Sequence, residues 1–134
     1  MTTYVLDASV AVAAVRPSEP SYGSARARIA CLLAGADDIV VPAIFDVEVT
    51  SALVRGHASP AAARRYLEHD LAARRLITIG PRAARAISAV AARVLLRAAD
   101  AAYVWVAISR SLPLVTLDRE IARRVGGVCQ VDLP

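Results

Sequence analysis

The chain has no lysine; all 16 of its basic side chains are arginine. That excludes a P-loop NTPase, whose motif sets a lysine on the nucleotide phosphates, and no glycine-rich fingerprint takes its place. Cysteine is scarce as well. Cys31 and Cys129 lie far apart, with no CxxC and no adjoining histidine, which reads as small buried hydrophobes or inert thiols in a reducing compartment. His57 and His69 sit in polar helical surroundings without an HxxxH pairing, so a zinc centre is not indicated. Long apolar runs are missing too. The most apolar long stretch, from Ala83 to Ile108, is broken by Arg85, Arg93, Arg97 and Asp100, which argues against a membrane span. No positive charge precedes Asp7, and Asp7 itself interrupts what would be the apolar core of a signal peptide. The expectation is a cytoplasmic protein without a membrane partner.

What is present is a hydrophobic fraction of 57%, much of it alanine, in a chain of 134 residues. That suits one domain, residues 1–134, with packed helices around a real core. The net charge of +4 is compatible with a polyanionic partner, because a guanidinium grips phosphate with a two-pronged fork. Genomic base composition also yields arginine and alanine richness, so charge alone names no partner.

Strand and helix signals alternate along the whole chain. Strands are predicted at Tyr4–Leu6, Ile39–Val41, Leu76–Ile79, Leu114–Leu117 and Cys129–Leu133. Helices are predicted from Ser9 to Val15, Ser24 to Ala34, Ile44 to Arg55, Ser59 to Arg75, Arg82 to Arg97, Asp100 to Ser111, and from an Asp118 cap to Gly126. Ser9 reads as a helix cap, and Ser59-Pro60 carries a cap-and-proline start. Strands separated throughout by helices predict an α/β sandwich around a mostly parallel sheet of about five strands.

Asp7, Glu48, Asp100 and Asp118 each fall where a strand ends or a helix begins, inside otherwise apolar segments. Each has an ordinary explanation. Asp7, Asp100 and Asp118 suit helix N-termini, and Glu48 suits a helix surface. Parallel strands would nevertheless bring these ends to one edge of the sheet, where a hard cation could hold the acids together. Carboxylates within about 4–6 Å of one another raise each other's pKa, and a divalent ion reverses that. Mg²⁺ or Mn²⁺ favours oxygen ligands and activates water for attack on phosphorus, with no need for histidine or cysteine.

Four segments, VLDASV at 5–10, EVTSAL at 48–53, RAADAAYVWVA at 97–107 and LVTLDREIA at 114–122, make the chain resemble the PIN-domain proteins. It is most similar to the VapC-type ribonuclease toxins. The resemblance implies a three-layer α/β/α fold, dependence on Mg²⁺ or Mn²⁺, and hydrolysis of RNA phosphodiester bonds. It implies partners as well: a homodimer partner and a cognate VapB-type antitoxin of a type II toxin–antitoxin pair. By position Asp7, Glu48, Asp100 and Asp118 match the family's acidic metal-binding and catalytic set; Asp7 and Asp100 are expected to be the principal ligands, with Glu48 and Asp118 completing the site or orienting the attacking water. Ser9 and Thr116 would support those carboxylates by hydrogen bonds, and Tyr103 would pack and orient its helix.

Asp46 departs from the family pattern and is expected on another face of the helix from Glu48, at the surface. Glu120 is expected to face solvent. Asp37, Asp38, Glu68, Asp70, Glu19 and Asp132 fall in loops, polar faces or the tail. The pairs Arg64-Arg65, Arg74-Arg75 and Arg123-Arg124 are candidate RNA contacts or solvated faces. Two other readings compete. One is an inactive PIN-like module that binds RNA or protein; the other is an aspartyl-phosphate receiver domain, weakened by the missing second aspartate after Asp7 and by the absence of lysine.

Overall fold

The computed structural model describes all residues, 1–134. Five strands pair in parallel in the order β3-β2-β1-β4-β5: β1 Thr2–Leu6, β2 Asp37–Pro42, β3 Arg75–Ile77, β4 Leu114–Val115 and β5 Val131–Asp132. Parallel neighbours cannot be joined by tight hairpins, so each connection carries helix. The helices are α1 Ala8–Ala13, α2 Tyr22–Leu33, α3 Ile44–Arg55, α4 Pro60–Arg65, α5 Pro81–Val94, α6 Ala98–Arg110 and α7 Arg119–Val125. Together they make the expected three-layer α/β/α sandwich. No helix is long and apolar enough to cross a membrane.

The order puts β2 and β3 on one side of β1, and β4 and β5 on the other. The chain therefore reverses its direction of sheet growth between β1 and β4. In open parallel sheets the crevice for ligands lies beyond the carboxyl ends of the strands at that point. A receiver domain has the different order 2-1-3-4-5, so that reading is set aside.

Why the central strands are apolar on both sides follows from their cover. Val5, Leu6, Ile39, Val41, Leu114 and Val115 are all fully buried, as befits strands with helices over both faces. They join Phe45, Val49 and Leu53 of α3 and Tyr103, Val104 and Val106 of α6 in one core cluster. Each such side chain contributes about 1.5–3 kcal/mol through burial.

Several boundaries differ from the pattern. The helix expected from Ser59 to Arg75 stops at Arg65 and continues as a π-helical turn, Tyr66–Asp70. Ser59 does cap it, its hydroxyl accepting from the Ala62 amide at 3.1 Å. The helix expected to reach Arg97 ends at Val94, because Leu95 turns left-handed at φ 55°. Leucine in that conformation costs about 1–2 kcal/mol, and nothing in the local pattern announces it. The strand ends contract to Leu114–Val115 and Val131–Asp132, and β2 begins earlier, at Asp37. Cys31 is exposed rather than buried.

Asp46 is no free surface acid. Both of its oxygens accept from Arg74, from Nε and from Nη2, each at 2.7 Å. Arg74 also donates to the carbonyls of Leu67 and Leu71, so one guanidinium ties the end of the π-helical turn to the first turn of α3. The Arg74 guanidinium is thus largely covered and already engaged within the fold. Asp46→Ala should lower unfolding stability by about 1–3 kcal/mol, since it strands a largely covered guanidinium. Urea denaturation of the variant beside the wild type measures this; Glu120→Ala, which removes two exposed ion pairs, should cost much less.

Candidate metal centre

The site is assembled from Asp7 outward. Asp7 follows β1 and occupies the N-cap position of α1 with extended backbone (φ −72°, ψ 143°), yet its side chain makes no capping bond. Its carboxylate turns across the sheet instead. Ser9 Oγ donates to Oδ2 at 2.8 Å, and Thr116 Oγ1 donates to the same oxygen at 2.7 Å. Ser9 is therefore inside α1, and its cap role is corrected: it serves the carboxylate rather than the helix end.

Each hydroxyl has one proton and free lone pairs, and both capacities are used. Ser9 Oγ accepts from the Leu117 amide at 3.3 Å, and Thr116 Oγ1 accepts from the Asp118 amide at 3.0 Å. The segment after β4 is so fastened to the residue after β1. The backbone repeats the link, Asp7 N donating to Val115 O at 2.9 Å.

The other acids lie around this seam. Asp118 caps α7, Oδ1 accepting from the amides of Glu120 and Ile121 at 2.9 and 3.3 Å. Asp100 is the third residue of α6, and Arg97 Nε donates to its Oδ2 at 3.3 Å. Glu48 projects from α3 and accepts at Oε1 from the Tyr103 hydroxyl at 2.6 Å. Tyr103 is fully buried, so it packs α6 as expected and also fixes the glutamate.

Electrostatics tie these groups into one neighbourhood. Burial pushes the Asp7 carboxyl above the usual carboxylate range; the Thr116 and Ser9 hydrogen bonds oppose that, and the Asp100 charge adds to it. Burial raises Glu48 too, against the Tyr103 bond and with help from Asp7 and Asp100. Asp100 is raised by burial, against Arg97 and with help from Asp118. The Tyr103 hydroxyl is pushed far up by burial and by Glu48. As they stand, no three acids converge tightly enough to ligate one ion directly.

Two concavities take their lining in part from these acids. One, of about 620 Å³, is lined by Ser9, Glu48, Ser51, Arg55 and Leu117 among others. The second, of about 240 Å³, is lined by Arg97, Asp100, Asp118, Glu120 and Arg124. Glu120 is exposed, as expected, and its carboxylate is held by Arg123 and Arg124. The donor set fits Mg²⁺ or Mn²⁺: it is all oxygen, and such ions bind through one or two carboxylates while keeping several waters. Sequence reasoning gave Arg97 no role. Its spacing of three before Asp100 at a helix start was the signal that could have found it.

An acidic pocket at the switch point of a parallel α/β sandwich defines the class, and sequence comparison supplies the family. The PIN domain model matches residues 4–127, and the chain belongs to that family. PIN domains are in general nucleases that depend on divalent metal. No curated protein matches the chain. Among solved structures it is similar to PAE2754 from Pyrobaculum aerophilum, at TM-score 0.72 and 25% identity over 98% of this chain and 83% of that one. VapBC2 from Rickettsia felis, bound to a DNA fragment from their promoter, gives TM-score 0.71 and 16% identity over 99% of each chain. FitAcB from Neisseria gonorrhoeae gives 0.71 and 18%, over 98% and 96%.

The raised carboxyls predict a pH dependence. Folded Asp7, Glu48 and Asp100 bind protons more readily than their unfolded forms, so stability falls as pH rises through the gap between ordinary and raised values. Without divalent ions, Tm should climb on acidification towards the ordinary carboxylate values near 4. Asp7→Asn should flatten part of that slope and raise Tm at neutral pH, and saturating Mn²⁺ should abolish it in the wild type. Thermal melts across pH with EDTA or Mn²⁺ measure all three.

Proposed function

We propose that this chain is the toxin of a type II toxin–antitoxin pair, a divalent-metal-dependent endoribonuclease acting in the cytoplasm. The observation that carries the reading is Asp7. A buried carboxylate, pinned by two hydroxyls at the sheet's switch point and close enough to Asp100 to feel its charge, is costly to keep without a cation.

In this reading Asp7 and Asp100 are the principal ligands, and Glu48 and Asp118 complete the site or orient the attacking water. When bound, the cation would supply charge stabilisation at the phosphate and a lower pKa for that water. The chain's own residues do the rest. Ser9 and Thr116 spend their protons on Asp7 Oδ2, which keeps that oxygen occupied and aims the carboxylate. Tyr103 holds Glu48 in one rotamer. Arg55, at the far end of the same α3 face as Glu48, lines the larger groove and would neutralise a backbone phosphate, making affinity fall with salt.

The partner reading rests on the neighbours and on one surface. The Rickettsia felis structure is VapBC2 on a fragment of their promoter, which supports pairing with a VapB-type antitoxin; a homodimer is part of the same reading. A mostly apolar concavity of about 450 Å³ between α1, α2 and the π-helical turn is lined by Val15, Tyr22, Ile29, Leu33 and Tyr66. It suits an amphipathic helix from such a partner.

The inactive binding module draws on one observation, the lack of three acids in direct ligating range. Against it, such a module gains nothing from mutually repelling acids. RNA incubated with the purified chain and Mn²⁺ should be cut, and Asp7→Asn should slow cutting by about 10²-fold or more, as loss of a metal-site group does. Thr116→Val, which removes one support of Asp7, should weaken Mn²⁺ binding by about 10–100-fold. No Mg²⁺- or Mn²⁺-dependent product from varied RNAs would leave the binding module standing.

A further inference from the structure

Most of the arginines near the sheet's carboxyl edge are already committed. Arg74 is held by Asp46, Arg123 and Arg124 by Glu120, and Arg16 by the Ala52 carbonyl. Arg97 differs. It makes a single long contact, Nε to Asp100 Oδ2 at 3.3 Å, and its side chain is 85% exposed while that of Asp100 is only 18% exposed. Although it precedes α6, its side chain caps nothing. It lines the smaller concavity together with Asp100 and Asp118, and its charge is felt at Glu48 as well as Asp100.

We propose that Arg97 is a substrate-binding residue with two positions, resting on Asp100 when no cation is bound and turning to a phosphate of the nucleic acid when one is. The inference deepens the metal-nuclease reading and rests on it. A cation and a guanidinium compete for one carboxylate, and once the cation is seated their like charges push the guanidinium outward. An exposed, singly bonded arginine has little to hold it back. Its planar fork then matches a phosphate two-pronged, as lysine would not. The pair thus serves as a built-in placeholder, lowering repulsion in the acid cluster until metal and substrate arrive together.

The test uses the full chain, with Arg97→Gln and Arg97→Lys. Calorimetry with Mn²⁺ alone should show Arg97→Gln binding about two- to five-fold tighter than wild type, the scale of an exposed ion pair, and Arg97→Lys in between. Anisotropy with a mixed-sequence single-stranded phosphorothioate RNA should show weaker binding by Arg97→Gln in Mn²⁺. The slope of log affinity against log salt should become shallower by about 0.7. In EDTA the two proteins should bind that RNA alike. Equal losses in Mn²⁺ and EDTA would make Arg97 a fixed phosphate contact and overturn the two positions. Unchanged Mn²⁺ affinity would overturn the placeholder role. Failure of the wild type to bind Mn²⁺ at all would instead overturn the metal-centre reading, and the inference with it.

Discussion

Two hydroxyl protons, from Ser9 and Thr116, converge on one oxygen of Asp7 where β1 and β4 lie side by side. A carboxylate buried there without donors would be neutral or absent. With both donors it can carry charge among apolar neighbours, and the same hydroxyls accept from the amides of Leu117 and Asp118. The path of the chain after β4, and so the position of Asp118 at the start of α7, depends on this junction. Stability and site geometry are therefore one problem in this protein.

The remaining acids are placed by helices rather than by the sheet. Glu48 rides on α3 and is steadied by Tyr103 from α6, while Asp100 rides on the first turn of α6. Because α6 packs against β1, β2 and β4, its fully buried face transmits the sheet's position to Asp100. Burial, with some help from their mutual repulsion, raises three of the carboxyls above their ordinary range. That strain is tolerable because a large shared core holds the elements in place, and it is the physical basis for reading the site as one meant for a cation.

Arginine does two different jobs here. Arg74 is structural, closing the π-helical turn onto α3 through Asp46, and so helps set the helix that carries Glu48. Arg97 is solvated and lightly held beside Asp100. Composition treats the two alike; burial and partner count separate them.

Alternation of apolar strands with amphipathic helices was enough to specify the α/β sandwich, and the bounds of α3 at Ile44 and Arg55 were legible from their local signals. The segments around Asp7, Glu48, Asp100 and Asp118 were enough to reveal the family. What local pattern did not carry was every feature made by residues distant in the chain. The strand order, the turn of Ser9 from cap to carboxylate donor, the Asp46–Arg74 clamp and the left-handed break at Leu95 all belong to tertiary structure. The reason is physical: backbone preference and hydrophobic period act over a few residues. A hydrogen bond from Thr116 to Asp7, 109 positions away, exists only once the sheet has closed.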